Sequence, residues 1–194
     1  MSRRTQVVVL VGPKGSGKTH IGGLVSSALG VRFLRVEPIF LENMRTSRLT
    51  GAPRDAEGYA RVAAAIEAAL ASDRCVFVEA TGASDALPAF LHDLRSLHEV
   101  LLVRVRAPLA TCLERVHTRD QSAHIPVSDD RVVEINTRAA QFELAWDLEI
   151  DNSGPASPEV IVDAIRELLA RRRREDSAHA SALTRPGPRR PRQP

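Results

Sequence analysis

The first informative stretch of the chain is Val7 to Val11, an unbroken apolar run, mostly valine, that ends at Gly12. Apolar residues without polar alternation mark a strand covered on both faces, as in the middle of a parallel sheet. Four further candidate strands follow at Val31 to Glu37, Cys75 to Ala80, Val100 to Val105 and Trp146 to Ile150, with stretches of helical periodicity between them. Alternation of this kind predicts an α/β fold built on a parallel sheet. The helical stretches carry their own punctuation. Leu29-Gly30 reads as a C-terminal cap, Pro108 opens a helix, and Ser157-Pro158-Glu159 supplies a cap, a first-turn proline and an acid favoured by the helix dipole. Ala63, Ile66, Ala69 and Leu70 form the apolar stripe of a helix over about Ala56 to Ala71.

With 194 residues, 43% of them hydrophobic, the chain suits one folded domain. The net charge of +3 is unevenly spread, because the composition changes at Arg171-Arg-Arg-Arg-Glu-Asp and runs on to Arg185-Pro-Gly-Pro-Arg-Arg-Pro-Arg-Gln-Pro. Residues 1–170 are therefore expected to fold, and residues 171–194 to form a basic Pro/Arg-rich disordered tail. Such a tail either solubilises the protein or holds nucleic acid or another polyanion by counterion release. Cys75 and Cys112 each lie in an apolar run, which predicts small buried side chains of a reducing compartment rather than a disulfide. No segment approaches the roughly 20 apolar residues of a membrane span. The run after Met1-Ser-Arg-Arg breaks at Gly12-Pro-Lys, so the expected location is cytoplasmic.

The chemistry is concentrated in Gly12-Pro13-Lys14-Gly15-Ser16-Gly17-Lys18-Thr19, which fits G-x-x-x-x-G-K-[ST] and sits between a predicted strand and a predicted helix. Glycines let backbone N–H groups turn inward as an anion nest, and the helix beginning near Lys18 adds its positive end. Lys18 is placed to reach the β and γ oxygens of ATP or GTP. The Thr19 hydroxyl is the expected ligand of Mg2+ bridging those oxygens.

With strand and loop placed, the chain resembles the P-loop NTPase superfamily, and within it the small-molecule kinases: the shikimate- and gluconate-kinase group and the zeta-toxin- and polynucleotide-kinase-like AAA family ATPases. The resemblance covers roughly Thr5 to Leu169. It implies a three-layer sandwich with a five-stranded parallel sheet in the order 2-3-1-4-5 and a ligand at the carboxyl ends of the strands. It also implies roles for residues at matching positions. Glu37, read as ending strand two, is the candidate acid beside the acceptor hydroxyl. Glu79, in Glu79-Ala-Thr-Gly82 at the end of strand three, takes the place of an acid, more often aspartate, that contacts Mg2+ through water. Arg115 and Arg119, four apart on the helix after strand four, are candidate lid arginines, and Arg131 either joins them or pairs with its acidic neighbours. Asp151-Asn152-Ser153 after strand five resembles a loop that borders the adenine ring. Thr81 and Gly82 let an acceptor approach the backbone. The loop from Asp120 to Ser128 has no cysteine pair, which excludes a zinc-bearing lid.

Acceptor specificity in such kinases lies after strand two, here Pro38 to Arg54, a stretch containing Arg45, Arg48 and Arg54. Guanidinium forks there suit a carboxylate or phosphate on a small-molecule acceptor. The paired aspartates of shikimate kinases are missing, since Arg35-Val-Glu37 stands in their place. Gluconate, a nucleoside or nucleotide, an antibiotic hydroxyl and a nucleic-acid 5′ end stay open. Two functions follow: an ATP- and Mg2+-dependent phosphotransferase acting on a small hydroxyl compound, or a nucleotide-binding and -hydrolysing module attached to nucleic acid or a protein partner through its tail.

Overall fold

The computed structural model describes residues 5–119, 124–125, 127–154 and 157–183, the last eight as backbone only. Its core begins with β1 (Gln6–Val11), every residue of which is buried. Because side chains alternate between faces of a strand, an apolar strand buried on both sides serves two cores at once. Val7, Val9 and Val11 pack on one face, and Val8 and Leu10 on the other. β3 (Cys75–Ala80) and β4 (Glu99–Arg106) flank β1 in parallel, with Val11 opposite both Ala80 and Arg104. β2 (Arg32–Leu34) and β5 (Leu148–Asp151) complete a parallel sheet in the order β2-β3-β1-β4-β5, as the resemblance implies.

α1 (Lys18–Leu29) and α7 (Pro158–Leu183) cover one face, burying Ile21, Val25, Ile161, Ile165 and Leu168 against Phe77 and Val103. α3 (Gly51–Leu70) and α4 (Leu87–Leu97) cover the other through Val62, Ile66, Leu87 and Leu91. α2 (Val36–Thr46), α5 (Leu109–Thr118) and α6 (Asp129–Ala140) stand around the carboxyl ends of the strands. Gly30 ends α1 with φ 64°, a left-handed conformation that explains why glycine caps it. Pro108 is the N-cap of α5, and α7 starts at Pro158.

Three elements differ from the sequence expectations. β2 spans only Arg32–Leu34, because Val36 already begins α2; Glu37 then lies in the first turn of that helix and not at a strand end. An acid followed by proline in a first turn meets the helix dipole and loses no hydrogen bond, so Glu37-Pro38 starts a helix. α5 ends at Thr118, leaving Arg119 as its extended C-cap. α7 continues past Arg171 to Leu183, since arginine, glutamate and alanine are good helix formers whatever they bury. Residues 184–194 lie outside the described residues. Both cysteines are free and buried. Among the described residues no helix is long and apolar enough to cross a membrane.

Candidate functional site

The loop between β1 and α1 is shaped by its glycines. Gly15 and Gly17 have φ of 86° and 97°, the left-handed region that side chains rarely enter. Space forbids a side chain as well: a Cβ on Gly15 would stand 2.3 Å from the Cys112 carbonyl oxygen, and one on Gly17 2.1 Å from Asn152 Nδ2. The loop is therefore pressed against α5 on one side and the residues after β5 on the other.

Lys18 is buried at the start of α1, and its ammonium donates to the carbonyl oxygens of Gly12 and Pro13, both at 2.7 Å. Burial pulls its pKa down to about 8, with the nearby Glu79 carboxylate opposing the fall. Glu79 lies on the same face of β3 as Phe77, the face that α1 covers, so strand alternation brings it under the first turn of that helix. There Thr19 Oγ1 donates to Glu79 Oε2 at 2.6 Å. A hydroxyl and a carboxylate in contact, beside a loop built for phosphate, are hard-oxygen donors of the kind Mg2+ uses. They fit an ion that takes its remaining ligands from phosphate and water. Among the described residues no group of three or more His, Cys, Asp or Glu could hold a metal by itself.

Glu37 ties three parts of the site together. Its Oε1 accepts from Lys14 Nζ at 3.0 Å and from the Ile125 amide at 2.8 Å, while Oε2 lies 2.5 Å from His124 Nδ1. Burial opposes its charge, but the His124 hydrogen bond, the Lys14 ammonium and the Ile125 amide outweigh it and hold the carboxyl at about 2. An ionised carboxylate only accepts, so His124 Nδ1 carries a proton and donates it to Glu37, which leaves Nε2 as the ring nitrogen not committed to that bond.

Arg115 and Arg119 both line the same cleft of about 680 Å3 as Lys14, Lys18, Thr19, Glu37 and Glu79. Arg115 Nη1 lies 3.5 Å from the Ser16 carbonyl oxygen. Arg119 Nε and Nη2 are buried with no hydrogen-bond partner among the described residues, and burial lowers the pKa of that guanidinium while Glu37 and Glu79 raise it. Arg131 also lines the cleft and pairs with Glu134. Of the three arginines between Pro38 and Arg54, Arg54 lines the cleft, whereas Arg45 is exposed beside Glu42 and Arg48 is exposed.

Asn152 does not line the cleft. It is buried, and its Nδ2 donates to the Ser16 carbonyl oxygen at 2.7 Å, so it braces the phosphate loop from beneath. Asn136 of α6 does the same from another side: its Oδ1 accepts from the Lys14 amide at 2.8 Å, and its Nδ2 donates to the Lys14 carbonyl oxygen at 3.1 Å. Neither Asn136 nor His124 carries a local sequence signal. Each becomes visible only when the topology brings it against residues far away in the chain.

The sequence profile of the AAA domain family matches residues 7–142. No curated protein matches the chain. Solved structures similar to it include a sugar kinase from a Janibacter species, with a TM-score of 0.61 at 18% identity, covering 86% of this chain and 95% of that one. A gluconokinase from Sinorhizobium meliloti has a TM-score of 0.57 at 21% identity, covering 93% and 99%. An APS kinase from Mycobacterium tuberculosis, solved with AMPPNP and APS, has a TM-score of 0.59 at 18% identity, covering 87% and 99%.

Proposed function

Because the chain belongs to the AAA domain family and its fold is that of P-loop kinases, we propose that it is a phosphotransferase moving the γ-phosphoryl group of ATP to a hydroxyl of a small molecule. The observation that carries this reading is the Arg119 guanidinium, which lines the cleft with two buried nitrogens unpartnered among the described residues, where Lys18, Thr19 and Glu79 also converge. Buried donors left unpaired beside a phosphate loop are donors for an anion that arrives.

In this reading the amides of Gly12 to Thr19 and the Lys18 ammonium hold the polyphosphate. Thr19, and Glu79 behind it, hold Mg2+, which when bound neutralises charge on the β and γ oxygens. Arg115 and Arg119 meet the charge on the group in flight. Glu37, held at about 2, is too weak a base to keep a proton at neutral pH, but it orients His124, whose Nε2 takes the proton of the acceptor hydroxyl. The acceptor oxygen then bonds to the γ-phosphorus, the bond from that phosphorus to the β–γ bridging oxygen breaks, and ADP leaves. The reading as a nucleic-acid-attached module draws less support. Its tail lies partly outside the described residues, and Arg171 and Arg172 are engaged with Asp147.

Calorimetry of Mg·ATP binding tests the proposal. The native protein should bind, and Lys18→Ala should lose at least tenfold in affinity, about 1.4 kcal/mol, while keeping its fold. Glu37→Gln should then cut ATP turnover far more than ATP affinity. A folded native protein that evolves no heat with Mg·ATP or Mg·GTP would end this reading.

A further inference from the structure

The end of the cleft bounded by α2 and α3 differs in character from the phosphate end. Phe40 of α2 lies against Gly58 of α3, where a Cβ would stand 2.7 Å from its ring. It meets Tyr59 edge-on at 5.2 Å between centroids, and Tyr59 in turn tilts onto Phe90 at 4.7 Å. Tyr59 is buried, and burial pushes its phenol pKa up, so the ring is neutral. The aromatic wall is thus fixed in place by packing. Met44 adds an apolar side chain that is 43% exposed, and Ile135 of α6 lines the cleft as well.

Arg35, Glu37, Asn43, Arg54 and Asp55 are the polar side chains that line the cleft at this end, and Glu37 and Asp55 already accept hydrogen bonds from within the protein. Asn43 is fully buried and lines the cleft; its Nδ2 donates to the Arg54 carbonyl oxygen at 2.9 Å, and its Oδ1 has no partner among the described residues. Arg54 faces the cleft with no carboxylate bonded to it among the described residues. Asp55 accepts from Ser84 Oγ at 3.1 Å. A polyhydroxylated acceptor needs a partner for each hydroxyl, and every one left against Phe40, Met44 or Ile135 costs on the order of 1–3 kcal/mol. An apolar body gains by covering the same surface.

Resting on the phosphotransferase reading, we propose that the acceptor is an amphipathic molecule and not a sugar or sugar acid. It has a flat apolar or aromatic body against Phe40, Met44 and Tyr59, a donor for Asn43 Oδ1, and an anionic group for Arg54. Its reacting hydroxyl projects toward the phosphate loop.

Titration calorimetry of the full chain saturated with Mg·AMPPNP decides it, using 4-(hydroxymethyl)benzoate as the aromatic probe and D-gluconate as the polyhydroxylated one. The aromatic probe should bind at least tenfold more tightly. Met44→Gln, at a position too exposed for its loss to unfold the core, should cut that preference threefold or more. Equal or tighter binding of gluconate overturns the proposal, as does absence of aromatic-probe binding up to ~10 mM, a bound set by the weakest affinities worth calling specific, in a protein that binds Mg·AMPPNP. Failure to bind Mg·AMPPNP itself would remove the phosphotransferase reading and this one with it, so the two failures are told apart in one experiment.

Discussion

Lys18 directs its ammonium at two carbonyls of its own loop, and burial draws its pKa down to about 8. In the free protein its charge is therefore lost as pH rises through about 8. A bound polyphosphate favours the ammonium and raises that pKa, so above about 8 binding must take up a proton. Nucleotide affinity should not depend on Lys18 ionisation near pH 7, and should fall by up to about tenfold per pH unit above 8. Titrations of Mg·AMPPNP at about pH 7.5, 8.5 and 9.5, values chosen to straddle the free-protein ionisation, would show the slope. Lys18→Ala should bind weakly and lack it. A flat profile in the native protein would mean that Lys18 stays charged without help and is less buried in solution than here. At this same scale the sequence was most informative, because the loop is contiguous: Gly12 to Thr19 is readable as a string, and Gly12 and Gly17, where a Cβ would stand 2.2 Å from the Val105 carbonyl oxygen and 2.1 Å from Asn152 Nδ2, are the glycines the motif fixes.

Elements, by contrast, are joined to that loop from a distance. Asn136 sits 122 residues from Lys14 in sequence and forms two hydrogen bonds to its backbone. Asn152 reaches Ser16 across 136 residues. No periodicity or motif announces such contacts, so Asn152 was legible as a residue of interest only through resemblance, which implied a nucleotide border where the structure has a brace. Glu37 was misplaced for a different reason. Val31 to Val36 is rich in β-branched and aromatic residues, which favours a strand, and the helix start Glu37-Pro38 was overridden by it. The mirror signal at Ser157-Pro158-Glu159 did open a helix, α7. Both core faces were legible because Val7 to Val11 is apolar at every position, whereas the strand order followed from the resemblance. Asn136→Ala should test the brace: it strips a donor and an acceptor from Lys14, costing about 1–3 kcal/mol in urea denaturation. Affinity for Mg·AMPPNP should fall about tenfold although Asn136 does not line the cleft. Lower stability with unchanged affinity would confine Asn136 to the fold.

For the whole molecule, the sheet delivers β1, β3 and β4 ends to one rim, and the cleft there carries eight Lys or Arg side chains against three carboxylates. Cations gathered in one cleft repel one another, so the free protein gives up stability for a site ready to receive an anion. Arg119 is the sharpest case, with Nε and Nη2 buried and unpartnered among the described residues. Removing it should stabilise the free protein by roughly 1 kcal/mol, which for a chain of this size raises the melting temperature by about 2–4 °C. The same change should weaken the response to nucleotide. At a hundredfold excess over Kd a ligand adds about 2.7 kcal/mol to the native protein, and Arg119→Ala at the same Mg·AMPPNP concentration should gain clearly less. Thermal melts of both proteins, with and without Mg·AMPPNP, separate the two effects, and their opposite signs are the test. A free variant that melts lower than the native protein would show Arg119 holding the fold together, and the charge in the cleft would then need another account.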